Sequence, residues 1–248
     1  MTARGRRGDA MTTFALLHGG AHGPWQWDLL APLLHELGHA VVTPDLPMDD
    51  PEKGSAEWAR VTVEALDAVG TNEDVVVLGH SLAGLAVPVV AAARPVRHMV
   101  FLCAQVPMPG QSYGDYVATQ PGAITLPVGQ NERDELGRTV VTWPIARKYF
   151  YAACTEKDAR RYHALLRPIA ATAFVEPCPI AAWPNATSSY ILATDDLAVG
   201  PEWSRRVCEE RLGITPIELA GTHSPFLDHP AELAATLVRI ARQTRAIA

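Results

Sequence analysis

A serine, a histidine and a carboxylate, far apart along this chain, stand at positions where they can together make one nucleophile. They are Ser81 in Gly79-His80-Ser81-Leu82-Ala83-Gly84, His223 in Ala220-Gly221-Thr222-His223, and one of the neighbours Asp195 and Asp196. A serine hydroxyl attacks a carbonyl poorly until a base takes its proton, and the base must itself be held by a third group. The aliphatic run Val75–Leu78 before Gly79 reads as a strand buried on both faces, and an apolar helical run begins at Leu82. A serine in so tight a strand-to-helix turn has a strained backbone and an exposed hydroxyl, the arrangement called a nucleophile elbow. Glycine usually stands two residues after such a serine. Here that residue is Ala83, with Gly84 next. An ordinary β-to-α turn that happens to hold a serine would match the same six residues.

The base is chosen from nine histidines. His18, His22 and His80 belong to a glycine-rich loop and to the elbow, where packing is the expected role. His35, His39, His98 and His163 fall on helix or strand edges, and His229 begins a helix. His223 alone follows the last strand in a glycine-containing turn. Asp45 also sits at a strand end, but it precedes the serine and reads as a loop-structuring carboxylate. The loop His18-Gly19-Gly20-Ala21-His22-Gly23-Pro24 lacks the GxGxxG and Gly-Lys-Ser/Thr spacings of phosphate cradles. Its other use is to offer a backbone N–H to a developing oxyanion. The expected donors are the N–H groups of Gly20 and Leu82, each contributing about 3 to 4 kcal/mol to a transition state.

Strands are expected at Thr13–Leu17, Ala40–Thr43, Val75–Leu78, Val96–Cys103, Ser189–Ala193 and Ile214–Leu219. Helices are expected at Trp25–Leu37, Ala56–Val69, Leu82–Ala93 with a kink or a short first turn at Pro88, Pro201–Leu212 and Pro230–Arg242. This alternation implies an α/β architecture with a mostly parallel, doubly wound sheet. It stops between Gln105 and Ser188, a stretch too long for a loop. That stretch reads as an inserted helical cap, with helices over Thr142–Ala153 and Glu156–Leu166. Its aromatics Tyr113, Tyr116, Trp143, Tyr149, Phe150, Tyr151, Phe174 and Trp183 are candidates for an apolar pocket wall or for packing, as are Trp25 and Trp27 beside the glycine-rich loop. The expected division is a polar, Arg-rich disordered tail over 1–10, a core over 11–105 and 188–248, and a cap over 106–187. Met11 is an alternative natural start.

The chain of 248 residues is 48% hydrophobic and 19% charged, enough to bury a large core. Its formal net charge of -6 disfavours a nucleic-acid partner, which needs a basic face. No apolar run reaches membrane-span length. Cys103, Cys154, Cys178 and Cys208 form no CxxC pair, so no zinc or redox motif arises, and free thiols in a cytoplasmic protein are expected.

The segments LLHGGAHGPWQW with LLHELGHAVVTPDL, VVLGHSLAG, YILATDD with Pro201-Glu202 behind it, and AGTHSPFL resemble the α/β-hydrolase superfamily. Within it they are most similar to the branch of plant methylesterases and hydroxynitrile lyases. The resemblance runs over nearly the whole chain after Met11. It implies the α/β-hydrolase fold, a triad of Ser81, Asp196 and His223, an oxyanion hole at Gly20 and Leu82, and no metal or organic cofactor. Some relatives carry the acid after the strand preceding the cap, but here that strand ends Cys103-Ala104-Gln105 without a carboxylate. Asp196 is therefore the expected acid, with Asp195 its alternative.

The lyases place lysine directly after the catalytic histidine and threonine after the first-loop histidine. This chain has Ser224 and Gly19 there. Departing cyanide needs a cation, so lyase chemistry is disfavoured. The expected activity is a serine hydrolase of carboxylesterase type, cleaving a small-to-medium apolar ester through an acyl-enzyme. The alternatives are a lyase or biosynthetic catalyst without that intermediate, and a small-molecule receptor on the same scaffold. Dehalogenase and epoxide hydrolase chemistry would need aspartate at position 81. The expected partner is a small apolar ester, with no nucleic acid and no membrane, and a homodimer is kept open.

Overall fold

The aliphatic runs bounded by glycine become the strands of one parallel sheet. The computed structural model describes residues 11–70 and 74–245, so the tail expected over 1–10 lies outside the described residues. The chain begins with β1 (Thr13–Leu17), α1 (Leu30–Glu36), β2 (Ala40–Val42), α2 (Ser55–Ala68), β3 (Val75–His80), α3 (Val87–Ala93) and β4 (His98–Leu102). It returns to the sheet at β7 (Thr187–Ala193). There follow α8 (Pro201–Val207), β8 (Ile217–Leu219), the short α9 (Pro225–Asp228) and the closing α10 (Pro230–Arg245). The strand order is β2-β1-β3-β4-β7-β8, and every pair is parallel.

Burial on both sheet faces follows from the period of two along a strand. Ala15, Leu17, Val75 and Val77 face one core with Trp58 and Leu66 of α2 and Val87 and Val90 of α3. Phe14, Leu16, Val76 and Leu78 face the other, with Leu30 and Leu34 of α1 and Leu233 and Leu237 of α10. Helices on both faces make the sheet doubly wound. No helix among the described residues is long and apolar enough to cross a membrane.

Four expected helices are divided, the one over 201–212 into α8 and a π-type turn, Cys208–Leu212. Residues 25–37 form a 3-10 turn, Pro24–Trp27, and then α1. The turn brings the Gln26 Oε1 to the Gly19 N–H at 2.9 Å, so a tertiary contact outweighs continuous helix. The expected helix 82–93 opens as a 3-10 turn over Ser81–Leu85, and α3 starts only at Val87. Pro88 therefore lies in the first turn of α3, where its missing N–H costs nothing, and causes no kink.

Between β4 and β7 the chain forms α4 (Tyr113–Ala118), β5 (Glu132–Arg133), β6 (Thr139–Val140), α5 (Trp143–Ile145), α6 (Glu156–His163) and α7 (Thr172–Val175). The expected helix over 142–153 is instead α5 followed by a wide π-type turn, Ala146–Phe150. The stretch is also not purely helical, because β5 and β6 pair antiparallel.

Gly84, not position 83, is where the elbow demands glycine. A Cβ there would lie 2.1 Å from the Gln105 carbonyl oxygen and 3.0 Å from the Ala104 Cβ. Gly79 is constrained similarly, its Cβ meeting the Val87 Cγ2 at 2.5 Å and the Ala83 oxygen at 2.8 Å. Ala83 packs in the core without exposure, so the departure from the usual motif is accommodated. Gly84→Ala is expected to cost about 1 to 3 kcal/mol through backbone overpacking, read as a lower urea midpoint. An unchanged midpoint would contradict this close approach.

Candidate active site

Three loops at the carboxyl ends of β3, β7 and β8 bring the candidate residues together, as ligand sites in open parallel sheets require. β3 ends at His80, and Ser81 then adopts φ +54°, a left-handed conformation costing a non-glycine residue about 1 to 3 kcal/mol. The Ser81 carbonyl accepts from the Gln105 N–H at 3.1 Å, which ties the elbow to the end of β4. The Ser81 Oγ lies 3.0 Å from the His223 Nε2. The His223 Nδ1 lies 2.9 Å from the Asp196 Oδ2.

Asp196 is fixed by its own turn. Its Oδ1 accepts from the N–H groups of Ala198 at 2.7 Å and Val199 at 3.0 Å. This leaves Oδ2 for the imidazole, whose Nδ1–H donates and whose Nε2 is free to accept from the serine hydroxyl. Asp196 is buried, whereas Asp195 is exposed and engages the Gly221 carbonyl through its backbone N–H. The structure thus brings Asp196 to the histidine and not its alternative.

The turn carrying His223 needs Gly221, at φ +119°. Asp228 of α9 closes it, accepting from the Thr222 N–H at 2.7 Å and hydroxyl at 2.5 Å. His80 supports the same turn, donating from Nε2 to the His223 carbonyl at 2.9 Å.

Gly20 and Leu82 both line the cavity above Ser81, and they are neighbours: a Cβ on Gly20 would lie 3.2 Å from the Leu82 Cδ2. Ala21 at φ +64° turns the first loop back on itself, with the His22 N–H on the Gly19 carbonyl at 3.2 Å. The His22 Nδ1–H donates to the Gly20 carbonyl at 2.8 Å, and its Nε2 accepts from the Tyr151 hydroxyl at 3.2 Å.

Burial holds His22 neutral, its pKa pushed down to about 3. Burial, then the nearby His223, pushes His80 well below the usual value. Both groups bind protons in the unfolded chain below about pH 6.5, while the folded protein refuses them. The stability these groups contribute is therefore full above that pH and is lost as pH falls below it, for His22 down to about pH 3 at about 1.4 kcal/mol per unit. Urea midpoints at about pH 7.5 and about pH 5 check this, and an equal or higher midpoint in acid would contradict it.

The cavity has a volume of about 310 Å³ and includes Ser81 and His223 in its wall. Of the aromatics expected to form that wall, Phe150 and Phe174 do so. Aliphatic side chains, among them Leu82, Ile124, Leu126, Ile145 and Ile169, supply much of the rest. Trp27 is buried in the core and Trp25 stacks on Tyr162 with ring centroids 5.8 Å apart.

Some residues at the site carried no sequence signal. Cys103, at φ +46° just past β4, places its Sγ within 4.8 Å of the Asp196 carboxylate. Its burial, with the Asp196 charge second, raises the thiol pKa well above the usual value. Gln105 places a nearly buried amide in the cavity wall. Ser224, where lyases carry lysine, is buried and donates to the Phe150 carbonyl at 2.7 Å.

The sheet, the elbow and the ordered side chains behind it define a class, and the chain belongs to the alpha/beta hydrolase family, whose model matches residues 14–236. It is 27% identical to salicylic acid-binding protein 2 of Nicotiana tabacum, an alignment covering 93% of this chain and 97% of that one. Its fold is similar to that of a pyrethroid hydrolase from Sphingobium faniae, with a TM-score of 0.79, 21% identity and coverage of 94% of this chain and 98% of that one. It is also similar to polyneuridine aldehyde esterase, with a TM-score of 0.76, 21% identity and coverage of 94% and 100%.

Proposed function

We propose that this protein is a serine carboxylesterase that cleaves a small-to-medium apolar ester through an acyl-enzyme. The observation that carries the reading is the unbroken line from the Asp196 Oδ2 to the His223 Nδ1 at 2.9 Å, and from the His223 Nε2 to the Ser81 Oγ at 3.0 Å. In this reading His223 takes the hydroxyl proton as the Ser81 Oγ bonds to the ester carbonyl carbon. The negative charge that develops on the carbonyl oxygen is met by the N–H groups of Gly20 and Leu82. The tetrahedral adduct collapses, the carbon–oxygen bond to the alcohol breaks, and His223 returns the proton to the leaving alkoxide. Water then repeats the sequence on the acyl-serine and releases the acid.

The names of two similar proteins contain esterase or hydrolase, which supports this choice. The surface of the cavity wall is mostly apolar, although Asn131 and Arg133 also line it, and this favours an apolar substrate. A lyase is disfavoured because no lysine follows His223, and the hydroxyl of Ser224 is committed to the Phe150 carbonyl. A panel of p-nitrophenyl esters of graded acyl length tests the reading. Turnover of short and medium acyl chains, falling for charged ones, is expected. Tight binding of apolar esters without turnover would overturn it in favour of a receptor.

A further inference from the structure

The first glycine-rich loop is gripped from outside by one arginine. Arg167 lies in the stretch between α6 and α7. Its backbone N–H donates to the Ala21 carbonyl at 2.8 Å. Its guanidinium Nη2 donates to the next carbonyl, that of His22, at 3.0 Å. The same Nη2 lies 2.7 Å from the Asp45 Oδ1 and 3.3 Å from the Leu46 carbonyl, so the β2–α2 connection holds the guanidinium in place. Nη1 approaches the Asp49 carboxylate at 3.9 Å.

Three consecutive carbonyls of the loop are thus occupied, that of Gly20 by the His22 Nδ1–H and those of Ala21 and His22 by Arg167. A peptide plane whose carbonyl is held has its N–H direction held too, because the peptide unit is rigid. The Gly20 N–H belongs to the Gly19–Gly20 peptide, whose carbonyl accepts from the His22 N–H at 3.2 Å and lies 3.1 Å from the His18 Nδ1, and the Arg167 guanidinium in turn holds His22 by its carbonyl. Ala21 needs such restraint, because φ +64° is unfavourable for a residue with a Cβ.

The clamp also reaches the substrate cavity. Two residues on, Ile169 lines the cavity and would meet a Cβ on Gly20 at 3.2 Å from its Cδ1. The Ala170 N–H donates to the Met48 carbonyl at 2.8 Å, and the Ile169 N–H to the Thr139 carbonyl at 2.8 Å. One short strap therefore touches the loop that faces the oxyanion, the cavity wall and the β2–α2 connection.

We propose that Arg167 is a positioning residue for the oxyanion loop, holding the Gly20 N–H in the direction that charge development on a substrate carbonyl requires. This rests on the esterase reading. It makes Arg167 act on the transition state more than on the bound substrate. A donor displaced by a fraction of its hydrogen-bond length loses most of its value, while an apolar substrate still finds its wall.

The test uses Arg167→Ala and Arg167→Lys in the full chain, with two readouts. The first is kcat and KM on a p-nitrophenyl ester that the parent protein turns over. Arg167→Ala is expected to lower kcat by about tenfold to a hundredfold with KM nearly unchanged, and Arg167→Lys to restore part of the loss. The second is hydrogen exchange in the peptide covering residues 18–28, which is expected to quicken in Arg167→Ala while the peptides of β3 and β7 keep their protection. A raised KM with kcat intact, or unchanged exchange in residues 18–28, would overturn the clamp. If the parent protein turns over no ester, the esterase reading fails, and the exchange readout still decides whether Arg167 restrains the loop.

Discussion

Ser81→Ala is expected to lower kcat for ester hydrolysis by about 10⁶-fold while leaving the fold intact. The size follows from what is removed. In the proposed mechanism no other atom forms the acyl bond once the Oγ is gone, and the N–H groups of Gly20 and Leu82 proposed for the oxyanion can only assist attack by water. The structural cost is small because the substitution removes one oxygen whose partner is the His223 Nε2, while Ser81 keeps its backbone bond from the Gln105 N–H. The two measurements are kcat on the best ester of the panel and the urea midpoint. A loss of less than about tenfold, with the midpoint unchanged, would mean that another group performs the attack.

Asp196→Asn is expected to lower kcat by about 10⁴-fold, and the reason lies in the turn that holds the carboxylate. Two backbone N–H groups, of Ala198 and Val199, point at the Oδ1. An amide in that place must offer its single oxygen to those donors, which turns its NH₂ toward the His223 Nδ1. The imidazole then carries its proton on Nε2, and it cannot take one from Ser81. The Cys103 thiol beside the carboxylate can donate but accepts only weakly, so it does not repair the tautomer. Nitrogen-15 spectra of the ring report the tautomer directly, and kcat reports its consequence. An Nδ1–H tautomer together with activity within about tenfold of the parent would remove Asp196 from the proposed mechanism.

The elements that place these groups were legible where short apolar runs end in glycine. Val75–Leu78 before Gly79 became β3, and Thr13–Leu17 before His18-Gly19-Gly20 became β1. The separation of Ser81, Asp196 and His223 along the chain was readable for the same reason, since each follows a strand and parallel strands send their ends to one edge. Helix boundaries were less legible because distant partners decide them. Gln26 turns away from helix to reach Gly19, and the elbow winds as a 3-10 turn through Leu85 so that Gly84 can pass against Gln105. The hairpin of β5 and β6, with two residues in each strand, is too short to show a period of two. Cys103 and Arg167 carried no signal at all, because their importance comes from what is brought beside them, the Asp196 carboxylate in one case and the carbonyl of His22 in the other.

The esterase reading is tested most directly by intact-protein mass after exposure to an alkyl phosphonate ester with a good leaving group. One adduct per chain is expected, mapping to Ser81 and forming only at background rate in His223→Ala. An unmodified protein, or an adduct carried by another residue at full rate, would contradict the account.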